Sequence, residues 1–338
     1  YFQHARKMCE RAKEFGFELA LVVLWCNYVP DTWANKLMKS KTMPFDAIEN
    51  YIKKVHETFS TFNPFYIISG DTDLENQSSI NHYRKASHLL RHLAPDCLQS
   101  YHIRGRMVEL PEEIIDEIDF YMYQTGHSAK SDKEMCYQMP EYFLTNYPVK
   151  PLINSEPCYE SIGYAGNMYG RFHQFDIRRA AWQSLLAGAS AGITYGAGGV
   201  YSWHEYGKHF SPCIGEGFDM PHPWQIALHY PGAWDYSDIK HIFCEYKITD
   251  LNPRQDILLN ETKEIRIAEY QNRYFIYVPE NTTIKLKIDT NDIESIIILD
   301  LETRRKEIGN KYKKDGICCL EMHTFGHDVL YIVELKNI

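Results

Sequence analysis

Asp71 and Glu156 each stand just beyond a short apolar run. Phe65-Tyr66-Ile67-Ile68-Ser69 leads into Gly70-Asp71-Thr72-Asp73, and Leu152-Ile153-Asn154 leads into Ser155-Glu156-Pro157-Cys158-Tyr159-Glu160. Two carboxylates at the ends of two strands are the minimum set for glycoside hydrolysis. One, protonated, gives its proton to the leaving oxygen. The other attacks the anomeric carbon or activates a water. Retention of configuration needs the carboxyls about 5–5.5 Å apart and inversion about 6.5–9.5 Å, and spacing along the chain does not supply that distance. The competing reading of such an Asp is structural, because an Asp after a strand often caps a helix or brackets a loop.

Other polar and aromatic residues fall at comparable places. Trp25 ends an apolar run that starts at Leu19. His102 and Arg104 end a run over 98–103. Tyr123-Gln124-Thr125-Gly126-His127 follows another, and Gln124 and His127 could hold sugar hydroxyls. A structural histidine bonded to a backbone carbonyl is the alternative there. Tyr195-Gly196-Ala197-Gly198-Gly199 leads to Trp203 and His204, and its glycines let the backbone approach a ligand closely. The glycines do not form a phosphate loop, since neither G-x-x-x-x-G-K nor a G-x-G-x-x-G before a helix is present. His204-Glu205 with His209 lacks the ligand spacing of a metal site, and the sequence predicts no metal and no cofactor.

These residues need a frame. Ala5, Met8, Cys9, Ala12 and Phe15 recur at helical spacing and predict a helix over 4–15, stopped by Gly16. The run from Leu19 to Trp25 reads as a strand buried on both faces. A helix over 46–59 follows, with Ile48, Ile52, Val55 and Phe59 on one side. Then come a strand at 65–69, a helix ended by Pro95, strands at 98–103, 118–123 and 152–154, a helix over 177–186 and a strand at 193–195. Strands and helices alternate for about 200 residues, the pattern of a parallel sheet with helices outside, as a barrel or as a doubly wound sheet. Six strands are legible, and an eight-fold barrel needs two more. Beyond residue 245 the texture changes to period-two strands at 265–270, 274–278, 284–288, 295–299, 318–322 and 329–333, an antiparallel sandwich. The expected division is a barrel over 1–245 and a β-sandwich over 246–338.

Composition bounds the rest. The 338 residues carry 36 Lys+Arg against 45 Asp+Glu, a net charge of −9, which argues against a nucleic-acid binder or a polybasic membrane binder. No run approaches the ~20 apolar residues of a membrane span. Nine cysteines, an odd number with no C-x-x-C pair, predict reduced and mostly buried thiols. That tilts the expected location to the cytoplasm, with secretion as the alternative. Tyr1 rather than Met stands first, and Tyr1-Phe2-Gln3 resembles the end of a protease-site tag, so the chain reads as a fragment or a processed product. The sequence makes no commitment on oligomeric state.

Several segments together resemble the apiosidase-like family of bacterial glycoside hydrolases, whose members usually end in a small β domain labelled as collagen-binding. The segments are Ser69-Gly70-Asp71-Thr72, Tyr123 to His127, Lys150 to Glu160, Arg178-Arg179-Ala180-Ala181-Trp182, and Gly188 to Gly196. The resemblance covers nearly the whole chain, in order and spacing. It implies a (β/α)8 TIM barrel, here lacking its first two βα units, followed by a β-sandwich. It implies Asp71 as acid/base, Glu156 as nucleophile and a retaining mechanism through a glycosyl-enzyme. It also implies that His127, Tyr159 and Trp203 face a carbohydrate substrate. The expected substrate-binding set is therefore Trp25, His102, Gln124, His127, Tyr159, Tyr195 and Trp203. A carbohydrate-binding or adhesive protein that has lost catalysis is the alternative from another class. Nothing basic or flat in residues 250–338 supports collagen recognition.

Overall fold

Apolar runs punctuated by Gly and Pro fold as short strands joined by helices. The computed structural model describes residues 1–39, 41–128, 132–210 and 218–336. They form two units, Tyr1–Gln124 with Tyr147–Ser155, and Thr125–Asn146 with Glu156–Ile338.

The first unit opens with α1 (Phe2–Glu14), which ends before Gly16 at φ 79°. Strand β1 (Ala20–Trp25) pairs in parallel with β2 (Phe65–Gly70), from Ala20 opposite Phe65 to Trp25 opposite Gly70. Between them lie α2 (Trp33–Met38), capped by the Thr32 side chain, and α3 (Ile48–Phe59), which buries Ile48, Ile52, Val55 and Phe59. After β2 comes α4 (Gln77–Leu93). Its N-cap Asn76 side chain accepts from Ser79 N at 2.9 Å, satisfying one of the helix's free amides. It ends two residues before Pro95, as a proline requires. Strand β3 (Gln99–Ser100) adds to β2 in parallel. Beyond α5 (Glu112–Ile115), β4 (Tyr121–Gln124) is joined to the β3 segment by a parallel bridge between His102 and Met122. The last strand, β5 (Leu152–Glu156), lies beside β4, where Ser155 Oγ donates to the Tyr123 carbonyl at 2.9 Å. Strand order thus follows sequence order, with no point of reversal.

Two expectations need correction. The β1 run is not buried on both faces, since Val22 and Trp25 stay 46% and 44% exposed. The run over 98–103 is a regular strand only at Gln99–Ser100, with single bridges at His102 and Ile103. Its side chains are tied to neighbouring loops instead, as when Ser100 Oγ donates to the Phe120 carbonyl at 2.6 Å.

The second unit contains α6 (Asp132–Asn146), α7 (Gln174–Leu186), β6 (Gly192–Ile193), α8 (Gly198–Tyr201), α9 (Trp224–Ala227) and α10 (Gly232–Glu245). Nine strands follow: β7 (Asn252–Pro253), β8 (Arg266–Tyr270), β9 (Arg273–Val278), β10 (Ile284–Leu286), β11 (Ile293–Asp300), β12 (Lys306–Ile308), β13 (Lys311–Lys314), β14 (Ile317–Leu320) and β15 (Val329–Leu335). They make two antiparallel sheets, ordered β12-β11-β15-β9-β8-β7 and β10-β14-β13. One apolar cluster draws on both, with Ile267, Ile276, Ile296 and Val333 from the larger sheet and Ile284, Leu286 and Leu320 from the smaller. The larger sheet's other face carries Ala268, Phe275, Tyr277, Leu330 and Ile332. These pack with Trp182 and Leu186 of α7 and Ile239 and Ile242 of α10. Period-two alternation therefore serves two cores, one on each face.

Cys213 lies outside the described residues. The other eight cysteines are free thiols, buried except at Cys9 and Cys244. No helix of the described residues is long and apolar enough to cross a membrane.

Candidate active site

The end of β2 and the loop after it position Asp71. A β-carbon on Gly70 would lie 2.1 Å from Trp25 Cε3, so the indole rests on the glycine backbone and excludes a side chain. Asp71 follows at φ 51°, a left-handed conformation that Asp tolerates better than most residues. Its N–H donates to His102 Nδ1 at 3.0 Å, and its carbonyl accepts from Trp33 Nε1 at 2.7 Å. The Trp33 backbone N–H in turn donates to Asp73 Oδ2 at 2.8 Å. Ser69 Oγ donates to the His102 carbonyl at 3.0 Å. Because His102 Nδ1 accepts, its proton sits on Nε2. This first unit therefore gathers Trp25, Asp71 and His102 at one corner. Gln124 is 6% exposed, and its Oε1 has no hydrogen-bond partner among the described residues.

Cys26 lies close by and is fully buried. Burial first, then the charges of Asp71 and Asp73, push its thiol well above the usual range. It is an inert thiol rather than a nucleophile.

Glu156 belongs to the second unit, at the C-terminal end of β5. Its Oε1 accepts from His127 Nε2 at 3.0 Å, with side chains 16% and 9% exposed. The His127 ring lies against Tyr159 (centroids 4.6 Å) and Phe218 (5.7 Å), and Tyr159 continues to Tyr201 (5.6 Å). A β-carbon on Gly196 would meet Tyr159 Cδ1 at 2.1 Å, so this glycine also underlies an aromatic ring. His127, Glu156 and Tyr159 thus stand together.

Four residues on, Glu160 is 3% exposed. Its Oε2 accepts from the Tyr195 hydroxyl at 2.6 Å and its Oε1 from Gly232 N at 3.1 Å. Burial raises its carboxyl above the ordinary range, and these two donors offset part of that rise. The Tyr195 phenol is pushed far up by burial and then by Glu160. Its hydroxyl braces Glu160. Trp203 is 59% exposed at φ 47° and stacks on Trp224, with centroids 4.7 Å apart and planes 7° apart. A left-handed backbone at so bulky a residue is strained.

Sequence reasoning missed Trp33, Asp73, Glu160, Phe218 and Tyr201. Asp73 and Glu160 lie two and four residues after the two singled-out carboxylates. Trp33 carries no local signal, because only the fold brings it to Asp71. Gly188-Ala189-Ser190-Ala191-Gly192 has the spacing of a nucleophile elbow, but Ser190 is exposed in a turn between α7 and β6. An elbow turns from strand to helix, so this serine is not one. Among the described residues, no group of three or more His, Cys, Asp or Glu could hold a metal ion.

The architecture matches that of known glycoside hydrolases. A solved structure described as a glycoside hydrolase aligns with a TM-score of 0.82 and 18% identity, covering 99% of this chain and 77% of its own. A glycoside hydrolase family 5 protein from Bacteroides vulgatus ATCC 8482 aligns with a TM-score of 0.82 and 19% identity, covering 99% and 74%. The chain shares their fold. Residues 1–250 match the model of the apiosidase-like catalytic domain, and the chain belongs to that family. No curated protein matches the sequence.

Proposed function

We propose that this protein is a retaining glycosidase acting on poly- or oligosaccharides, with Asp71 as acid/base and Glu156 as nucleophile. The observation that carries the reading is Glu156 at the C-terminal end of β5, bonded to His127 Nε2 at 3.0 Å, with the His127 ring against Tyr159 and Phe218. Family membership supports the same chemistry. Parallel strands in sequence order support a (β/α)8 barrel, in which working residues gather at the C-terminal strand ends. Residues 1–245 would form the catalytic part, and 246–338 an accessory β-sandwich. The free thiols suit a reducing compartment and hence a cytoplasmic location.

The steps follow from two carboxyls with separate roles. Glu156 attacks the anomeric carbon as the glycosidic C–O bond breaks, and Asp71 gives its proton to the leaving oxygen. Asp71, now a carboxylate, takes a proton from water. That water attacks the anomeric carbon and releases Glu156. Trp25, His102, Gln124, His127, Tyr159, Tyr195 and Trp203 form the binding set in this reading. Trp25, Tyr159 and Trp203 supply aromatic surface. His102 and Tyr195 also hold Asp71 and Glu160 in place.

The test is hydrolysis of a panel of oligosaccharides and aryl glycosides. Glu156→Gln should abolish turnover, and Asp71→Asn should lower it by about 10²–10⁴-fold, both with unchanged circular dichroism. Proton NMR of the first-formed product should show the substrate's anomeric configuration. Inverted product, or near-normal rates in either variant, would overturn the assignment. Saccharide binding without turnover by the wild type would favour the non-catalytic alternative.

A further inference from the structure

His127 bonds the proposed nucleophile with one ring nitrogen only. Its Nε2 lies 3.0 Å from Glu156 Oε1, so that nitrogen carries a proton. Its Nδ1 is buried and has no hydrogen-bond partner among the described residues. A histidine that serves another group is commonly oriented by a bond at its second nitrogen. Here that anchor is missing, so packing has to set the ring. Tyr159 supplies the nearest ring, with centroids 4.6 Å apart and planes at 58°. The Tyr159 ring in turn rests on Gly196, where a β-carbon would collide with it.

The next residue, Glu160, fastens that contact. Its backbone N–H donates to the Gly196 carbonyl at 2.8 Å, and its carbonyl accepts from Gly198 N at 2.9 Å. Its side chain accepts from the Tyr195 hydroxyl at 2.6 Å and from Gly232 N at 3.1 Å. One residue thus joins the loop after β5, the loop after β6 and the first residue of α10. Gly232 has no room for a side chain, because a β-carbon there would collide with Glu160 Oε2. The first turn of α10 is itself anchored, since Asp235 bonds Arg178 at 3.1 Å and Arg304 at 2.7 Å. Burying a carboxylate is costly unless its oxygens are matched, and both oxygens of Glu160 are.

We infer that Glu160 is a positioning residue for the nucleophile: its side chain holds Tyr159 on Gly196, and the Tyr159 ring keeps His127 on Glu156. The inference rests on the glycosidase reading for its effect on rate, but the geometry it asserts is measurable without substrate. Reach matters here rather than charge. Gln at 160 keeps the length and can make both bonds. Asp keeps the charge but is shorter by one C–C bond, about 1.5 Å, which takes both partners out of hydrogen-bond range.

The experiment uses the full chain with 15N-labelled histidine. The NMR signal of the His127 Nε2–H is identified by its loss in His127→Gln. Glu160→Gln should keep that signal, and Glu160→Asp should broaden or lose it through faster exchange with water. Tyr195→Phe deletes only a hydroxyl; it should weaken the signal too, and it carries the test if the Asp variant does not fold. On a cleaved glycoside, Glu160→Asp should lower kcat at least about tenfold, toward the ~10²-fold that a 1 Å misplacement costs, with KM held within about twofold. Glu160→Gln should stay within about twofold of the wild type in both. The expected pattern of signals in a protein that cleaves nothing would sink the glycosidase reading and leave the positioning role standing. No Nε2–H signal in the wild type, a wild-type signal in both Glu160→Asp and Tyr195→Phe, equal losses in the Asp and Gln variants, or a change in KM alone would overturn the positioning role.

Discussion

Trp33 shows how a side chain remote in sequence sets the backbone of Asp71, the proposed acid/base. Its indole N–H holds the Asp71 carbonyl, and its backbone N–H is held by Asp73. Trp33→Phe keeps the packing and removes one hydrogen bond, worth about 1 kcal/mol. We expect kcat to fall about fivefold with KM unchanged, and steady-state kinetics on any cleaved substrate checks this. A rise in KM alone would point to substrate contact instead. Glu160 makes a different prediction. Burial raises its carboxyl, so the folded state binds more protons than the unfolded state above the unfolded pKa. Its contribution to stability is fully present below that pKa and is lost as pH rises through the folded pKa. In Glu160→Gln, the amide oxygen can accept from Gly232 and the NH2 can donate to the Tyr195 oxygen. Urea unfolding from about pH 4 to about pH 8 should show a flatter decline than in the parent. An unchanged slope would assign the decline to other groups.

At the scale of elements, small residues let strands carry rings. Gly70 underlies Trp25 because β1 and β2 pair with those two residues opposite each other. Gly70→Ala should destabilise by about 1–3 kcal/mol, the range of overpacking. The cost should shrink when Trp25 is also changed to Ala, which removes the clash. Denaturant unfolding of the four proteins in the cycle tests this, and equal costs in both backgrounds would place the strain elsewhere. Much at this scale was legible beforehand. The α3 face of Ile48, Ile52, Val55 and Phe59 and the stop before Pro95 follow from periodicity and from proline's missing N–H. Helix α6 was not, because it carries Pro140 and lacks a clear apolar stripe. Helix α7 was legible over 177–186 although it is buried on every side there, and only its first turn from Gln174 was not read.

At the scale of the whole molecule, the family-like segment Arg178 to Trp182 proves to be a structural centre of the second unit. Arg178 is 1% exposed and bonds Asp328 at 2.5 Å, Asp235 at 3.1 Å and Glu302 at 3.1 Å, while the Tyr277 hydroxyl also donates to Asp328. Burial alone would lower its pKa, but the Asp328 and Asp235 carboxylates raise it overall, so it stays charged. Arg178→Met would strand buried carboxylates and should cost about 3–5 kcal/mol. Adding Asp328→Asn should return part of that loss. Thermal and urea unfolding check both steps, and a single-variant loss below about 1 kcal/mol would show the network to be dispensable. The same centre links α7 and α10 to the larger sheet, so the C-terminal strands buttress the helices that follow β5 and β6.

The order of elements, the carboxylates after two strands and the change to period-two strands beyond residue 245 were all present in the sequence. These features are local. They arise from the spacing of apolar residues and from the backbone limits of Gly and Pro, which act within a few neighbours. The Glu156–His127 bond, Trp33 on Asp71, Tyr195 on Glu160 and Arg178 among three carboxylates were decided only by the tertiary structure. Each joins residues between 29 and 150 positions apart. A hydrogen bond needs its atoms within about 3 Å, and only packing sets that distance.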